Sequence, residues 1–129
     1  MSMEITFPGG LAIEAHFDGL TLRTDQPEAG GGEGSAPSPF DTFLASIGTC
    51  SGFFALRFCQ QRKLSTDGLK ITLDTAKGSG ARKLDRITLT IHLPEGFPDK
   101  YRDAIVKATD MCAVKKVIQN PPDFETVVV

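Results

Sequence analysis

One segment, SPFDTFLASIGTCSGFFALRFCQQRK at residues 38–63, limits the folds open to this chain more than any other. Ser38 can cap a helix, Pro39 suits the first helical position, and Asp41 stands three residues after Ser38 to complete a capping box. Apolar residues then recur at 40, 43, 44, 47, 54 and 58, a helical spacing. The predicted helix is about 37 Å long at 1.5 Å per residue. Between Thr42 and Leu56 it carries no charged face at all. Such a helix must be surrounded by protein on most sides. Gly48 and Gly52 share one face and admit a close-approaching backbone, and Ala45, Ser46, Thr49 and Ser51 widen that low strip. In a chain of only 129 residues, the element that crosses there is expected to come from a second copy.

Upstream, MEITF, LAIEAHF and LTLRTD alternate apolar and polar residues, with turns offered at PGG and DG, and predict a small antiparallel meander. The stretch QPEAGGGEGSAPSP, residues 26–39, fits neither a phosphate loop nor a dinucleotide fingerprint, since no GK[ST] follows. It reads as a flexible connection into the helix. Downstream, LKITLDTAKG and DRITLTIHL predict two strands with Ile71, Leu73, Ile87, Leu89, Ile91 and Leu93 on the buried side and His92 on the polar one. KGSGARKL joins them as a mobile exposed loop. After Pro98, Tyr101, Ile105 and Ala108 form one helical stripe, and Asp110 reads as a second N-cap opening MCAVKKVIQ. Pro121 and Pro122 end that helix, and DFETVVV closes as a strand. The order βββ-α-ββ-α(α)-β, linked by hairpins rather than crossovers, predicts a single α+β domain over residues 1–129.

Bulk properties narrow the partners. A net charge of −2 offers nucleic acid or an anionic membrane no electrostatic reason to bind. The N-terminus lacks a basic segment followed by an apolar run, so no secretory signal is expected. The uncharged stretch Thr42–Leu56 falls short of the about 20 residues that span a bilayer. The expected location is the cytoplasm.

Three cysteines, Cys50, Cys59 and Cys112, carry the chemistry on offer. Their odd number without an export signal argues against a disulfide framework. No CxxC occurs, His16 and His92 lie far from every cysteine, and no zinc-ligand spacing exists, so no metal or other cofactor is expected. Cys59 stands half a turn out of phase with Cys50 and about 13.5 Å along the same helix, beyond disulfide reach. Cys112 is thus the one possible intramolecular partner of Cys50. If Asp110 caps, Cys112 sits in a first helical turn, where a thiolate is favoured and Lys115 and Lys116 add to it. On spacing alone the thiols can equally be inert core filling, the commoner fate of free cysteine.

GGGEGSAPSPFDTFLASIGTC, followed some sixty residues later by DMCAVKKVI, resembles the OsmC/Ohr family, osmotically induced and organic hydroperoxide resistance proteins. The likeness runs from the PGG hairpin to the last strand, and this chain reads as a divergent OsmC-like member. The resemblance implies an intertwined homodimer with antiparallel sheets around long central helices. It also implies reduction of organic hydroperoxides, with Cys50 peroxidatic and Cys112 resolving, regenerated by an external thiol or dithiol and needing no bound cofactor. Family peroxidases place a glutamate directly after the helix-opening proline and pair it with an arginine of the N-terminal hairpin. Here Phe40 and Leu11 hold those positions, leaving Asp41, Glu33 and Arg23 as the candidate replacements. A redox-sensing or small-molecule-binding protein of the same fold is the alternative. An acyl-thioester hydrolase, whose fold also wraps a sheet round a long helix, fits less well, because no general base stands near the helix.

Overall fold

The computed structural model describes all residues 1–129, which divide into two units, 1–45 and 46–129. In the first, β1 (Glu4–Gly9), β2 (Ala12–Phe17) and β3 (Leu20–Thr24) form an antiparallel meander. The β2–β3 turn is the two-residue Asp18-Gly19, both at positive φ (49° and 74°), the conformation that matches strand twist. Alternation then sorts the faces. Thr6, Glu14, His16, Thr21 and Arg23 share the polar one, where His16 bonds Thr6 at 2.9 Å and Thr21 at 3.0 Å. Ile5, Ala15 and Leu22 align on the other, together with Phe17 paired to Leu20. Ile5, Phe7, Leu20 and Leu22 remain 49%, 79%, 62% and 41% exposed, so this chain leaves its apolar face uncovered.

The glycine-rich connection is ordered, which corrects the expectation of a flexible one. The Asp25 carboxylate accepts the N–H of Gln26 (2.7 Å) and both the N–H (3.0 Å) and hydroxyl (2.6 Å) of Ser35. Gly34 N–H bonds Gln26 O, and Asp25 N–H bonds Pro37 O. A Cβ at Gly32 would overlap the Gln26 carbonyl, so the loop closes only around glycine.

Helix α1 runs Pro39–Gln61, and the expected cap is present, with the N–H of Asp41 donating to Ser38 Oγ at 3.1 Å. Only one stripe of it, Ile47, Ser51, Ala55, Phe58 and Cys59, is buried. Phe53 and Leu56 stay 50% and 41% exposed, and a Cβ at Gly52 would meet nothing within 4 Å. Within one chain, therefore, the glycine strip awaits the crossing it was expected to admit. At 23 residues the whole helix is long and apolar enough to cross a bilayer, unlike its uncharged centre alone. Its buried stripe, by contrast, packs in a protein core.

That core lies in the second unit. Ala55, Phe58, Cys59 and Ile105 are buried together, flanked by Leu64, Leu69, Ile71, Ile91, Leu93 and Tyr101. β4 (Lys70–Lys77) and β5 (Leu84–His92) form the expected hairpin, with Ile71 opposite Ile91 and Leu73 opposite Leu89. His92 faces solvent and bonds Thr72 at 3.2 Å. A 3₁₀ turn (Asp99–Tyr101) leads into α2 (Arg102–Thr109), and α3 follows at Ala113–Gln119.

Two expectations are corrected here. Asp110 ends α2 as its C-cap, and the N-cap of α3 is Cys112. DFETVVV forms no strand. A strand needs a partner edge, and this segment pairs with none in its own chain, leaving Phe124 91% and Val128 96% exposed.

A candidate thiol site

The chain brings two of its cysteines together from elements far apart in sequence. Cys50 sits mid-α1 and is half-buried, whereas Cys112 opens α3 and is fully buried. The Cys50 side chain lies close enough to Cys112 to act on its thiol. Cys112 holds an extended backbone (φ −50°, ψ 120°), and its sulfur accepts the N–H of Lys115 at 3.5 Å, as an N-cap oxygen ordinarily does.

Electrostatics separate the three thiols. Burial pushes the Cys112 thiol up, but the Lys115 N–H, the Cys50 side chain, the Val114 N–H and the Ser51 hydroxyl together outweigh it. The net effect lowers its pKa from the ordinary thiol value. The Lys115 ammonium is taken by Asp110 at 3.1 Å, so Lys115 acts on the sulfur through its backbone rather than as the expected cation. Cys59 behaves oppositely. Burial pushes its thiol up, opposed by Arg62, whose guanidinium lies 3.6 Å from the Phe58 ring centroid. Cys59 is thereby held protonated in the core, as a packing residue.

The candidate replacements for the glutamate–arginine pair are engaged locally. Arg23 faces Glu14 at 4.0 Å on the polar face of the first sheet. Asp41 opens α1, and Glu33 lies within the loop that closes on Asp25 between Gln26 and Ser35. Ser51 is the residue sequence reasoning missed. It read as a small spacer, yet it lies in the buried stripe beside the thiol pair and lines a cavity of about 620 Å³ walled by Ile87, Leu89, Ile91 and Ile105. Its i, i+4 relation to Ile47 and Ala55 was the available signal. The structure brings no group of three or more His, Cys, Asp or Glu together for a metal.

The α+β fold brings a mid-helix thiol and a helix-capping thiol from distant elements to one site. The model of the family described as OsmC-like protein matches residues 32–127, and the chain belongs to that family. A Psychrobacter arcticus 273-4 structure, described as an osmotic stress induced and detoxification response protein, superposes with a TM-score of 0.74 at 20% identity. That match covers 90% of this chain and 86% of the other. A Legionella pneumophila organic hydroperoxide resistance protein OsmC gives 0.58 at 20%, over 92% and 90%. A Vibrio cholerae structure described as an organic hydroperoxide resistance protein, with captopril in one of its active sites, gives 0.55 at 18%, over 95% and 88%. At such identities these likenesses establish the fold. No curated protein matches the chain.

Proposed function

We infer that residues 1–129 act as one OsmC-like domain that reduces organic hydroperoxides, with Cys50 peroxidatic and Cys112 resolving. The observation that carries this reading is the influence of the Cys50 side chain on the Cys112 thiol, with Cys50 half-buried and Cys112 buried. Cys50 sulfur attacks the peroxide oxygen and becomes a sulfenic acid, and Cys112 condenses with it to a disulfide before further oxidation. An external thiol or dithiol restores both thiols by exchange. The working form is an intertwined homodimer in the cytoplasm, in which a second copy covers Phe53 and Leu56 on α1 and the open sheet face. Each of these surfaces exposes large apolar side chains of the kind that marks an interface. The family membership and the hydroperoxide resistance neighbours support the substrate class.

Steady-state consumption of cumene hydroperoxide with dithiothreitol tests it. Turnover lost in Cys50→Ser supports the reading. Stoichiometric oxidation without turnover selects the redox-sensing alternative instead, an outcome that Phe40 and Leu11 in place of the family's glutamate and arginine would explain.

A further inference from the structure

One surface of the second unit has no task in that scheme. Helices α1 and α2 enclose a groove of about 500 Å³, within the range of small-molecule sites. Phe54 and Phe58 of α1 and Ala104 and Ala108 of α2 wall it, at the i, i+4 spacing that puts each pair on one helix face. The small alanines keep α2 low there, and both pack against the cluster that contains Phe58. Phe53, edge-on to Phe54 at a centroid distance of 5.2 Å, and Met111 complete the apolar lining, and both are about half exposed. Neither Cys50 nor Cys112 lines the groove.

The charges at this groove are all of one sign. Arg57, Arg62 and Lys107 line it, and no carboxylate does. Arg62 is partly occupied, since it donates to the Phe58 carbonyl at 3.2 Å and lies over the Phe58 ring. Arg57 and Lys107 are exposed and enter no ion pair. The acids that flank Lys107 in sequence, Asp103 and Asp110, line a different cavity, and Asp110 is held by Lys115. Apolar walls beside uncompensated cations suit a molecule with an apolar body and an anionic head, and the fork of an arginine matches a carboxylate. The groove also stands apart from the glycine strip of α1. Gly52 and Leu56 are each two residues from Phe54, about 200° round the helix, and neither lines it. A second copy crossing on the glycine strip leaves the groove open.

We propose that this groove reversibly binds a small amphipathic carboxylate. Its alkyl or aryl body lies against Phe54, Phe58, Ala104 and Ala108, and its head lies on Arg57 and Lys107. No bond is made or broken and neither thiol is used. The site therefore serves binding rather than turnover, and it stands independently of the peroxidase reading.

Equilibrium dialysis of the reduced full chain against radiolabelled octanoate, below its micelle concentration and with no peroxide present, tests the proposal. Octanoate should bind saturably and about tenfold more tightly than octanol, which has the same chain and no charge, and octylammonium should bind more weakly still. Inorganic phosphate alone should not bind, because the apolar walls supply part of the affinity. Arg57→Gln and Lys107→Gln should each weaken octanoate about fivefold and leave octanol unchanged, and added salt should weaken octanoate in the parent. Lys116→Gln, which removes a charge outside the groove, should bind as the parent does. Octanol bound as tightly as octanoate, or an affinity unmoved in both glutamine variants, overturns the assignment. So does octanoate that fails to bind, or that binds only while dissociating a dimer in light scattering, since a second copy is then the occupant.

Discussion

The backbone N–H of Lys115 donates to the sulfur of Cys112 at 3.5 Å, which makes a thiol the cap of α3. A pKa lowered on folding couples that cap to stability. The thiolate's contribution is complete above the unfolded thiol value, about 8.5, and is lost as pH falls through the lowered folded value. Reduced parent protein should therefore gain thermal stability over Cys112→Ala as pH rises toward 9, and lose the advantage on acidification. A gap that stays constant with pH would show that the sulfur is capping as a neutral thiol.

The cysteines should divide by role under peroxide. Cys50→Ser should consume none, because a hydroxyl near its normal pKa is a far weaker nucleophile. Cys112→Ser should consume about one equivalent per subunit and stall as a trappable sulfenic acid. Cys59→Ser should keep the parent's activity while losing about 1–3 kcal/mol of stability, since it buries a hydroxyl in the core. Peptide mapping of oxidised parent should find Cys50 linked to Cys112. A linkage through Cys59 would overturn the assignment.

Assembly offers a second handle. A homodimer that covers α1 should bury more than roughly 2,000 Å². Gly52→Leu fills space that is open in a single chain, so a monomer should tolerate it, whereas a dimer that crosses there should be disrupted. Light scattering of parent and variant at micromolar concentration decides the matter. A parent that runs as a stable monomer ends the dimer reading.

Acid should loosen the first unit through Asp25. Hydrogen bonds from Ser35, first its hydroxyl and then its N–H, and from Gln26 hold that carboxyl down at about 2. Its stabilising effect is fully present above the unfolded value, about 3.9, and disappears as pH falls through about 2. The parent's melting temperature should fall across that window. Asp25→Asn should start lower and change less, and equal slopes in the two proteins would remove Asp25 from the account.

Gly32→Ala should cost about 3 kcal/mol in a denaturant melt, because its Cβ would overlap the Gln26 carbonyl and only backbone movement relieves that. Gly34→Ala is strained differently, through a φ of 60°, with nothing near its added methyl, and should cost about 1 kcal/mol.

What could be read beforehand follows the range of each interaction. The hairpins and the start of α1 were legible because alternation, Asp18-Gly19 and Ser38 act over a few residues. The Asp25 clamp was not, since its partner Ser35 lies ten residues on and glycines advertise freedom rather than closure. Asp110 was preferred to Cys112 as a cap because carboxylates cap far more often than thiols, and only the fold decided between them. The final strand failed for a related reason. Its pattern is that of a strand, but pattern cannot supply an edge to pair with. At the site, Cys112 could be named by eliminating Cys59, whereas Ser51 looked like any small residue until its burial was known.

The uncovered face of β1–β3 bears on the life of the chain before the proposed dimer forms. Ile5, Phe7, Leu20 and Leu22 lie on a sheet whose two outer strands, β1 and β3, still carry unpaired backbone groups. Apolar surface beside an open edge is a template for aggregation. Pro8 blunts β1 by removing a donor, but LTLRT in β3 has no such guard. Newly made chains are therefore most vulnerable while dilute in their own partner and crowded by others. Refolding yield should depend on how quickly the face is covered, so heterologous expression at low temperature should favour soluble protein.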